Sequence, residues 1–426
     1  MEDTVEITSL AFGGKGVGRI DGKVVFVPFT APGDRVRVRL TLEKKGFSEG
    51  VVTDIIEPSP LRTKPVCPVY GSCGGCAWQH MGYAAQVEWK ERIFEETLRR
   101  IGKVSPSRYD PPAPSPMPYN YRSRVGFKIE GGRWGFFESK SHRVVDIESC
   151  PIADPLINGA FGAIKKALAG QNTNIYALDI GVSEKDALAV ASFHVTGEAR
   201  FDWKGALAGT GLKGFEVRLN PLKKGKGKRV FTELDSRLVY EAGGMEFTAG
   251  INVFSQVNRS QNRALVDRVV EYAGLDGTET VVDLFSGVGN LSLPLSRRSK
   301  KTIGIETSVE AVREARANAG RNSVENAVFM REDAGVWVRN NFKTLEKEGS
   351  LVVILDPPRS GEIDAAGALS ALRPKRIVYV SCSPPALARD LSLLTGSGYR
   401  VFRAGLFDMF PQTYHIESIV GLELNR

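Results

Sequence analysis

From Asn258 to the C-terminus, the sequence alternates helical segments with short apolar strands. The strands are VVDLF (281–285), TIGIE (302–306), AVFMRED (327–333), LVVILDPP (351–358) and RIVYVSC (376–382). This alternation predicts a parallel sheet with helices on both faces. Ligands of such sheets bind at the carboxyl ends of the strands. The residues that close each strand are therefore the first candidates for function.

A glycine turn and several acidic residues stand at these strand ends. The first strand runs into SGVGNLSL, where Gly287 and Gly289 allow a ligand to approach the backbone closely. Glu306, Asp333 and Asp356 close the following strands, and a carboxylate there can accept hydrogen bonds from a ribose. A dinucleotide site would need a third glycine, and a phosphate-binding loop would need GK followed by Ser or Thr. The pattern therefore favours S-adenosylmethionine, which carries a ribose and an adenine but no phosphate.

The N-terminal segment has a different character. Residues 1–58 form five short strand patterns separated by glycine turns. Five strands in so short a segment predict a small closed barrel of the OB kind, which often binds oligonucleotides. A proline-rich linker follows, and then a predicted helix from Tyr83 to Ile101 whose apolar face carries Val87, Phe94, Leu98 and Ile101. Residues 120–250 are strand-rich with occasional helix.

Composition and charge limit the classes of function. The chain is 42% hydrophobic and 25% charged, and it has no apolar run of the roughly 20 residues that span a bilayer. Its start, MEDTVEITSL, has no basic segment followed by an apolar stretch, so we expect a cytoplasmic protein without a membrane anchor. The net charge of +8 suits a polyanion, and KKGKGKR (223–229) is either a solvated loop or a phosphate contact.

Four of the five cysteines have the spacing of a metal site. Cys67, Cys73 and Cys76 lie in one glycine-rich loop, and Cys150 lies further along. Four thiolates can hold either zinc or an iron–sulfur cluster. Structural zinc sites usually have two short cysteine pairs, and this chain has only one, so an iron–sulfur cubane with four protein ligands is favoured.

Cys382, the fifth cysteine, follows the last predicted parallel strand. A thiolate at that position could add to C6 of a pyrimidine, which would make C5 a nucleophile that accepts a methyl group. A base must then remove the proton from C5 so that the cysteine is expelled. We expect the helix start at SPPALARDL to lower the pKa of Cys382.

Taken together, these motifs resemble the RNA uracil-5-methyltransferases that carry an N-terminal TRAM domain. The resemblance rests on the barrel, the cysteine spacing, and the stretches FSQVN, DLFSGVGNLSL, DPPR, SCSP and HIESI. It implies an α/β protein with a C-terminal Rossmann-like S-adenosylmethionine-dependent methyltransferase domain (256–426). An OB-like TRAM barrel (1–58) and a central α+β domain with an iron–sulfur cluster (59–255) would precede it.

The resemblance also implies roles for individual residues. Cys382 would be the nucleophile and Glu417 the base that takes the C5 proton. Cys67, Cys73, Cys76 and Cys150 would hold a 4Fe–4S cluster. The implied cofactor contacts are Gln256, Phe285, Gly287, Asn290, Glu306, Asp333 and Asp356. Arg124 and Phe254 match positions that hold RNA in relatives, although Ser255 replaces the commoner second aromatic of the FSQVN stretch.

Several alternatives stay open at this stage. Amino-methyltransferases place an aromatic residue where DPPR has Arg359, and RNA cytosine-5-methyltransferases use a second cysteine that LDPPR lacks. A non-catalytic RNA-binding protein would not need Cys382 and Glu417. The TRAM domain and the cluster favour 23S rRNA over the tRNA T-loop as substrate, and we expect a monomer.

Overall fold

A computed structural model describes residues 2–171, 173–197, 201–221, 223 and 227–425. These residues form three large sheets and one hairpin, in the order barrel, strand-rich centre and α/β region that the sequence predicts. Within these ranges, no helix is long and apolar enough to cross a membrane.

The N-terminal sheet curls around a small apolar core. Its strands are β1 (Asp3–Glu6), β2 (Ser9–Leu10), β3 (Gly16–Ile20), β4 (Lys23–Val27), β5 (Arg35–Glu43) and β6 (Phe47–Glu57). Their order is β1-β5-β6-β4-β3-β2, and only Ile7 and Thr8 separate β1 from β2. Both edges of the sheet therefore lie on one short stretch of chain. The apolar core is formed by Val5, Ile7, Val25, Val27, Val36 and Val38. The described strand pairings do not join β1 to β2, so closure of the barrel stays a prediction.

The helix after the first cysteines ends as an α-helix earlier than the sequence predicts. Helix α1 spans Tyr83–Thr97, and a π-helical turn over Leu98–Gly102 follows it. The wider π turn rotates the side chains that follow, so Leu98 is buried whereas Ile101 is 53% exposed. The placement of Ile101 on the apolar face was therefore wrong.

The central sheet has seven strands and is covered on one face by a helix. The elements of this region are β7 (Arg124–Glu130), β8 (Arg133–Phe137), β9 (Val144–Asp146), α2 (Pro155–Ala167), β10 (Ile175–Ser183), β11 (Leu188–Val195), α3 (Trp203–Ala206), β12 (Leu212–Leu219), β13 (Lys228–Leu234), β14 (Arg237–Ala242) and β15 (Met245–Gly250). The order of the sheet is β13-β12-β11-β10-β7-β8-β9, and helix α2 packs on the face that carries Phe127, Leu178 and Phe193. Strands β14 and β15 form a separate two-stranded hairpin that leads out of this region.

The C-terminal sheet has the predicted α/β alternation. Its elements are α4 (Arg259–Ala273), β16 (Thr280–Leu284), α5 (Ser292–Ser296), β17 (Lys301–Glu306), α6 (Val309–Arg321), β18 (Ala327–Arg331), α7 (Ala334–Leu345), β19 (Leu351–Leu355), α8 (Ile363–Leu372), β20 (Arg376–Ser381), α9 (Pro384–Gly396), β21 (Tyr399–Phe407) and β22 (Glu417–Leu424). The order is β18-β17-β16-β19-β20-β22-β21, with five parallel strands and β22 antiparallel to β20.

Parts of the N-terminal half complete this C-terminal unit. Phe94 and Leu98 lie in the same apolar core as Leu284 of β16. The proline-rich connector 107–113 runs parallel to the edge strand β21, and the backbone N–H groups of Asp110 and Ala113 donate to its carbonyls at 2.8 Å each. The domain boundaries at residues 58 and 255 stay predictions.

Candidate active site and cysteine cavity

The sheet topology brings a thiol and a carboxyl group to one edge. The parallel strands β19 and β20 end at this edge, whereas β22 is antiparallel to β20 and begins there. Ser381 of β20 pairs with Ser418 of β22, so Cys382 and Glu417 occupy facing positions one residue further along. Cys382 is half-buried and Glu417 is buried. Facing positions of antiparallel strands direct side chains to the same side.

A cleft of about 380 Å³, its open mouth included, lies at the same edge, and we name it the strand-end cleft. Its lining includes five of the seven predicted cofactor contacts: Gln256, Phe285, Gly287, Asn290 and Asp356. Sequence reasoning did not select Asp283 or Tyr240, which also line it. Asp283 is a carboxyl group within the apolar strand VVDLF, and this contrast could have indicated a role. Tyr240 comes from the distant hairpin, and nothing in the sequence connects it with the cleft.

The backbone that follows β16 is shaped for a close ligand. Phe285 has a φ of 71°, a conformation that is rare for a bulky residue and concentrates at functional sites. Gly287 has a φ of 54°, and a Cβ atom added to it would meet nothing within 4 Å. Among the described residues, three buried atoms of the cleft lining lack a hydrogen-bond partner, namely Ser255 Oγ, Ser286 Oγ and Asp283 Oδ1. The cleft therefore fits a polar ligand such as S-adenosylmethionine.

The other two predicted cofactor contacts lie outside this lining. The carboxylate of Glu306 accepts hydrogen bonds from the backbone N–H of Gly287 (3.1 Å) and of Ser308 (2.7 Å). Asp333 is exposed, and its Oδ1 accepts from the N–H of Val336 (3.0 Å) as the N-cap of α7. Glu306 is thus joined to the cleft through the glycine turn, whereas Asp333 is not, and the cofactor contacts of both stay predictions.

The surroundings of Cys382 favour the protonated thiol. Burial, and after it the charges of Glu417 and Asp356, raise the pKa of Cys382 to about 11, and the charge of Arg359 opposes them. The expected lowering of this pKa by the start of α9 was therefore wrong. The helix begins with Pro384 and a second proline, which lack the N–H groups that would stabilise a thiolate.

Carboxyl groups at this edge also have raised pKa values. Burial raises the pKa of Asp356 and of Asp283 to about 7, and the Ser292 hydroxyl hydrogen-bonded to Asp283 partly opposes the latter shift. Burial, followed by the charge of Asp356, raises the pKa of Glu417 well above its usual range. The edge therefore combines a thiol with acids that hold protons near neutral pH, which is typical of sites that move protons.

The other four cysteines line a separate cavity of about 810 Å³, its open mouth included, which we name the cysteine cavity. Burial raises the pKa of Cys73, of Cys76 (to about 12) and of Cys150, and the neighbouring thiols add to each rise. Among the described residues, no group of three or more His, Cys, Asp or Glu side chains is arranged around a single metal ion. The structure thus brings the four thiols to one cavity, and an iron–sulfur cluster there stays a prediction.

Hydrogen bonds fix the backbone around the cysteine cavity. Asn158 of α2 accepts from the N–H of Cys150 (2.8 Å) and donates to its carbonyl (3.1 Å). The side chain of Gln79 accepts from the N–H of Cys67 (3.0 Å), and the N–H of Gly75 donates to the sulfur of Cys73 (3.4 Å). The cavity is therefore held from both the cysteine loop and the central domain.

The two predicted RNA contacts lie beside the strand-end cleft. Phe254 lines the cleft and is 65% exposed, so its ring is free to stack. Arg124 donates to the carbonyls of Ile251 (3.2 Å) and Val253 (2.6 Å), and burial lowers its pKa. Arg124 thus supports the segment that carries Phe254, and its contact with RNA stays a prediction. Residues 224–226 of the basic segment 223–229 lie outside the described residues.

Comparisons with known proteins cover the whole chain. A family model described as tRNA (uracil-5-)-methyltransferase matches residues 82–425, and a model of the TRAM domain of tRNA (uracil(54)-C(5))-methyltransferase matches residues 4–61. An uncharacterized RNA methyltransferase of Thermosynechococcus vestitus is 35% identical over 98% of this chain and 97% of its own length. The 23S rRNA (uracil(1939)-C(5))-methyltransferase RlmD of Alkalilimnicola ehrlichii is 33% identical over 97% of this chain and 95% of its own length.

A solved structure is similar over the same length. The crystal structure of Pyrococcus abyssi tRNA (uracil-54, C5)-methyltransferase in complex with S-adenosyl-L-homocysteine superposes with a TM-score of 0.77 at 25% identity. The superposition covers 99% of this chain and 100% of the other. The similarity thus includes the barrel, the centre and the α/β region together.

Proposed function

The chain belongs to the RNA (uracil-5-)-methyltransferase family and methylates C5 of uracil in RNA with S-adenosylmethionine, and we propose that its substrate is 23S rRNA. The relative from A. ehrlichii, named for a uracil of 23S rRNA, supports this choice. The neighbour from P. abyssi, named for a tRNA uracil, makes tRNA the second candidate.

Mapping 5-methyluridine in the rRNA and tRNA of cells with and without the gene separates the two substrates. We expect loss of the modification at a 23S rRNA position, restored by the intact gene. Loss confined to tRNA would overturn the rRNA proposal while leaving the activity in place. A cytoplasmic monomer stays our prediction for the protein itself.

In the proposed mechanism, Cys382 is the nucleophile. The thiol first loses its S–H proton to solvent. The thiolate sulfur then bonds to C6 of the uracil, and the electron pair of the C5=C6 bond moves onto C5 and O4. The observation that carries this assignment is the facing register of Cys382 and Glu417 at the edge where the strand-end cleft opens. The pKa of about 11 leaves the free thiol largely protonated at neutral pH, and the charge of Arg359 favours the thiolate.

The strand-end cleft would hold the cofactor next to that thiol. S-adenosylmethionine supplies the electrophilic methyl group that C5 accepts. The proposed cofactor contacts within the lining are Gln256, Phe285, Gly287, Asn290 and Asp356. Outside the lining, Glu306 would bind the ribose, and Asp333 is the remaining proposed contact. Ser255, Ser286 and Asp283 offer the unpartnered polar atoms that a bound ligand would satisfy.

Glu417 is the proposed base. Its carboxylate takes the proton from C5, the electron pair of the C–H bond re-forms C5=C6, and the C6–S bond breaks to return Cys382 as a thiolate. Because burial raises the pKa of Glu417, its ionised form is a stronger base than an exposed carboxylate.

The substitution Glu417→Gln tests this step. We expect methyl transfer in the first turnover, followed by a stall that leaves an RNA–protein adduct stable on a denaturing gel. Glu423→Gln, which changes the same residue type at the far end of β22, should turn over normally. If Glu417→Gln releases its product at the wild-type rate, Glu417 is not the base.

The cysteine cavity is the proposed site of a 4Fe–4S cluster. Cys67, Cys73, Cys76 and Cys150 would be its ligands, because all four line one cavity and none of them lines the strand-end cleft. Such a cluster would neutralise thiolates that otherwise repel one another in a buried space.

A further inference from the structure

The loop that leads into Glu417 is held by distant parts of the chain. Residues 408–416, here the 408–416 loop, join β21 to β22. Carbonyls of this loop accept hydrogen bonds in turn: that of Met409 from Asn258 (3.3 Å), of Phe410 from Lys90 (3.0 Å), of Pro411 from Tyr121 (3.1 Å) and of Gln412 from the N–H groups of Ala77 and Trp78 (3.0 Å each). The donors come from the segment 77–121 and from the start of α4.

Gln412 is the centre of this arrangement. It is 2% exposed and has a φ of 68°, a left-handed conformation that few residues other than glycine adopt. The side chain of Gln86 accepts from the N–H of Gln412 (2.9 Å) and donates to its Oε1 (3.0 Å). The same Gln86 amide also donates to the carbonyls of Trp78 and Met81. We name Gln86 and Gln412 the glutamine pair.

A buried ion pair fixes the start of the loop. Lys90 donates to Asp408 at 2.6 Å, and both side chains are 0% exposed. A buried ion pair is weak support for stability, since apolar residues of similar volume often stabilise as well, but it can fix one arrangement. Gln86 and Lys90 are one turn apart on α1, so a single helix face holds both ends of the segment 408–412.

The loop also contacts the segment that carries the cysteines. Ala77 and Trp78, which donate to Gln412, follow Cys76 directly in sequence. The indole N–H of Trp78 donates in turn to the carbonyl of Gly14 in the N-terminal barrel (3.0 Å). A Cβ atom on Gly14 would lie 2.9 Å from the side chain of Tyr414. The barrel, the cysteine loop and α1 therefore meet at the loop before Glu417.

We propose that the glutamine pair positions Glu417 for removal of the C5 proton. The proposal rests on the proposed role of Glu417 as the base. Neither Gln86 nor Gln412 lines the strand-end cleft, so they act through the backbone that enters β22. Loosening the pair displaces the carboxylate from C5, while Cys382, which directly follows β20, keeps its place. The methylated adduct should then form normally but release its cysteine slowly.

The substitution Gln412→Asn tests the proposal with little disturbance of the backbone. Asparagine tolerates the left-handed conformation. Its shorter side chain loses the hydrogen bonds to Gln86 and to the carbonyl of Pro118 (3.3 Å), whereas the backbone N–H of residue 412 still donates to Gln86. Gln171→Asn, the same change at an exposed position of the central domain, is the matched control. Gln86→Met, which keeps the volume and removes the amide, is a second variant in case Gln412→Asn does not fold.

The measurement is a single turnover with methyl-labelled S-adenosylmethionine and an RNA substrate, quenched in denaturant. For Gln412→Asn we expect an unchanged rate of label entering RNA and a several-fold rise in the fraction of protein trapped as adduct. Gln171→Asn should behave as wild type. Combining Gln412→Asn with Glu417→Gln should trap no more adduct than Glu417→Gln alone, because both changes act on one step.

The outcomes separate the positioning role from the base role. If Glu417→Gln traps adduct and both glutamine-pair variants do not, the positioning proposal is wrong and the base assignment stands. A parallel fall in labelling and release would also overturn it, since that is what general loosening of the fold produces. If Glu417→Gln itself traps no adduct, the proposed role of Glu417 as the base fails first, and the positioning proposal that rests on it fails with it.

Discussion

The cysteines lie in two surroundings that burial alone does not distinguish. Burial is the largest cause of the raised pKa both for Cys76 in the cysteine cavity and for Cys382 at the strand-end cleft. The neighbouring charges differ. Around Cys76 the groups that add to the rise are other thiols, whereas around Cys382 they are Glu417 and Asp356, with Arg359 opposing them.

This difference indicates two kinds of chemistry. Thiols that crowd one another cannot all ionise unless a positive centre compensates them, so such a group favours a metal cluster. A thiol among carboxyl groups of raised pKa lies where protons can be exchanged between partners. The difference thus supports the proposed metal binding in one place and the proposed catalysis in the other.

The largest effect should come from removing the thiol that we propose as the nucleophile. In Cys382→Ala, we expect methyl transfer to fall to the level of a reaction without enzyme, because no covalent adduct can form. Thermal unfolding and iron content should match those of the wild type, since Cys382 does not line the cysteine cavity. Measurable turnover by Cys382→Ala would contradict the mechanism.

A change in the cysteine cavity should instead lower the iron content of the protein. The wild-type protein, purified without oxygen, should be brown and contain about four irons and four sulfides per chain. Cys150→Ala should lose much of this iron, and Cys382→Ala serves as the matched control because it also removes one thiol. Stoichiometric zinc without iron in the wild type would show that the cavity holds another metal.

The smallest effect, but the most direct on electrostatics, is the pH dependence of Cys382 alkylation. Because the pKa is raised to about 11, the thiol stays protonated at lower pH. The rate with iodoacetamide should therefore rise about tenfold per pH unit without levelling near pH 9. Mass spectrometry of the Cys382 peptide gives this rate. Glu417→Gln should move the profile to lower pH, and a wild-type plateau near pH 9 would be incompatible with the raised pKa.

The strand-end residues were predictable because the alternation of helices with apolar strands predicts a parallel sheet, and ligands of such a sheet bind at the carboxyl ends of its strands. Phe285, Gly287 and Asp356 follow apolar strands of a parallel sheet, and all three line the strand-end cleft. Cys382 follows β20 for the same reason. Asp333 also follows a strand of the parallel sheet, but it caps helix α7 and does not line the cleft. The reason is that β18 is the outermost strand, and its end lies away from the cleft.

The position of Glu417 could not be derived in this way. It begins a strand rather than ending one, and it reaches the edge only because β22 is antiparallel to β20. The pKa of Cys382 was missed for a related reason. The sequence displays the helix that follows it but not the burial or the carboxyl groups that the fold brings beside it.

The connector 107–113 has a consequence for how the chain is made. Its hydrogen bonds to β21 join residues about three hundred positions apart, so the connector leaves the ribosome long before its partner exists. Asp110 must wait for Tyr272 and Arg403, which donate to its carboxylate at 2.8 Å each. A fragment that starts at residue 256 would leave the backbone of β21 as an open edge, which invites pairing between copies. The connector therefore covers the edge strand of the C-terminal sheet, which would otherwise be open to another chain.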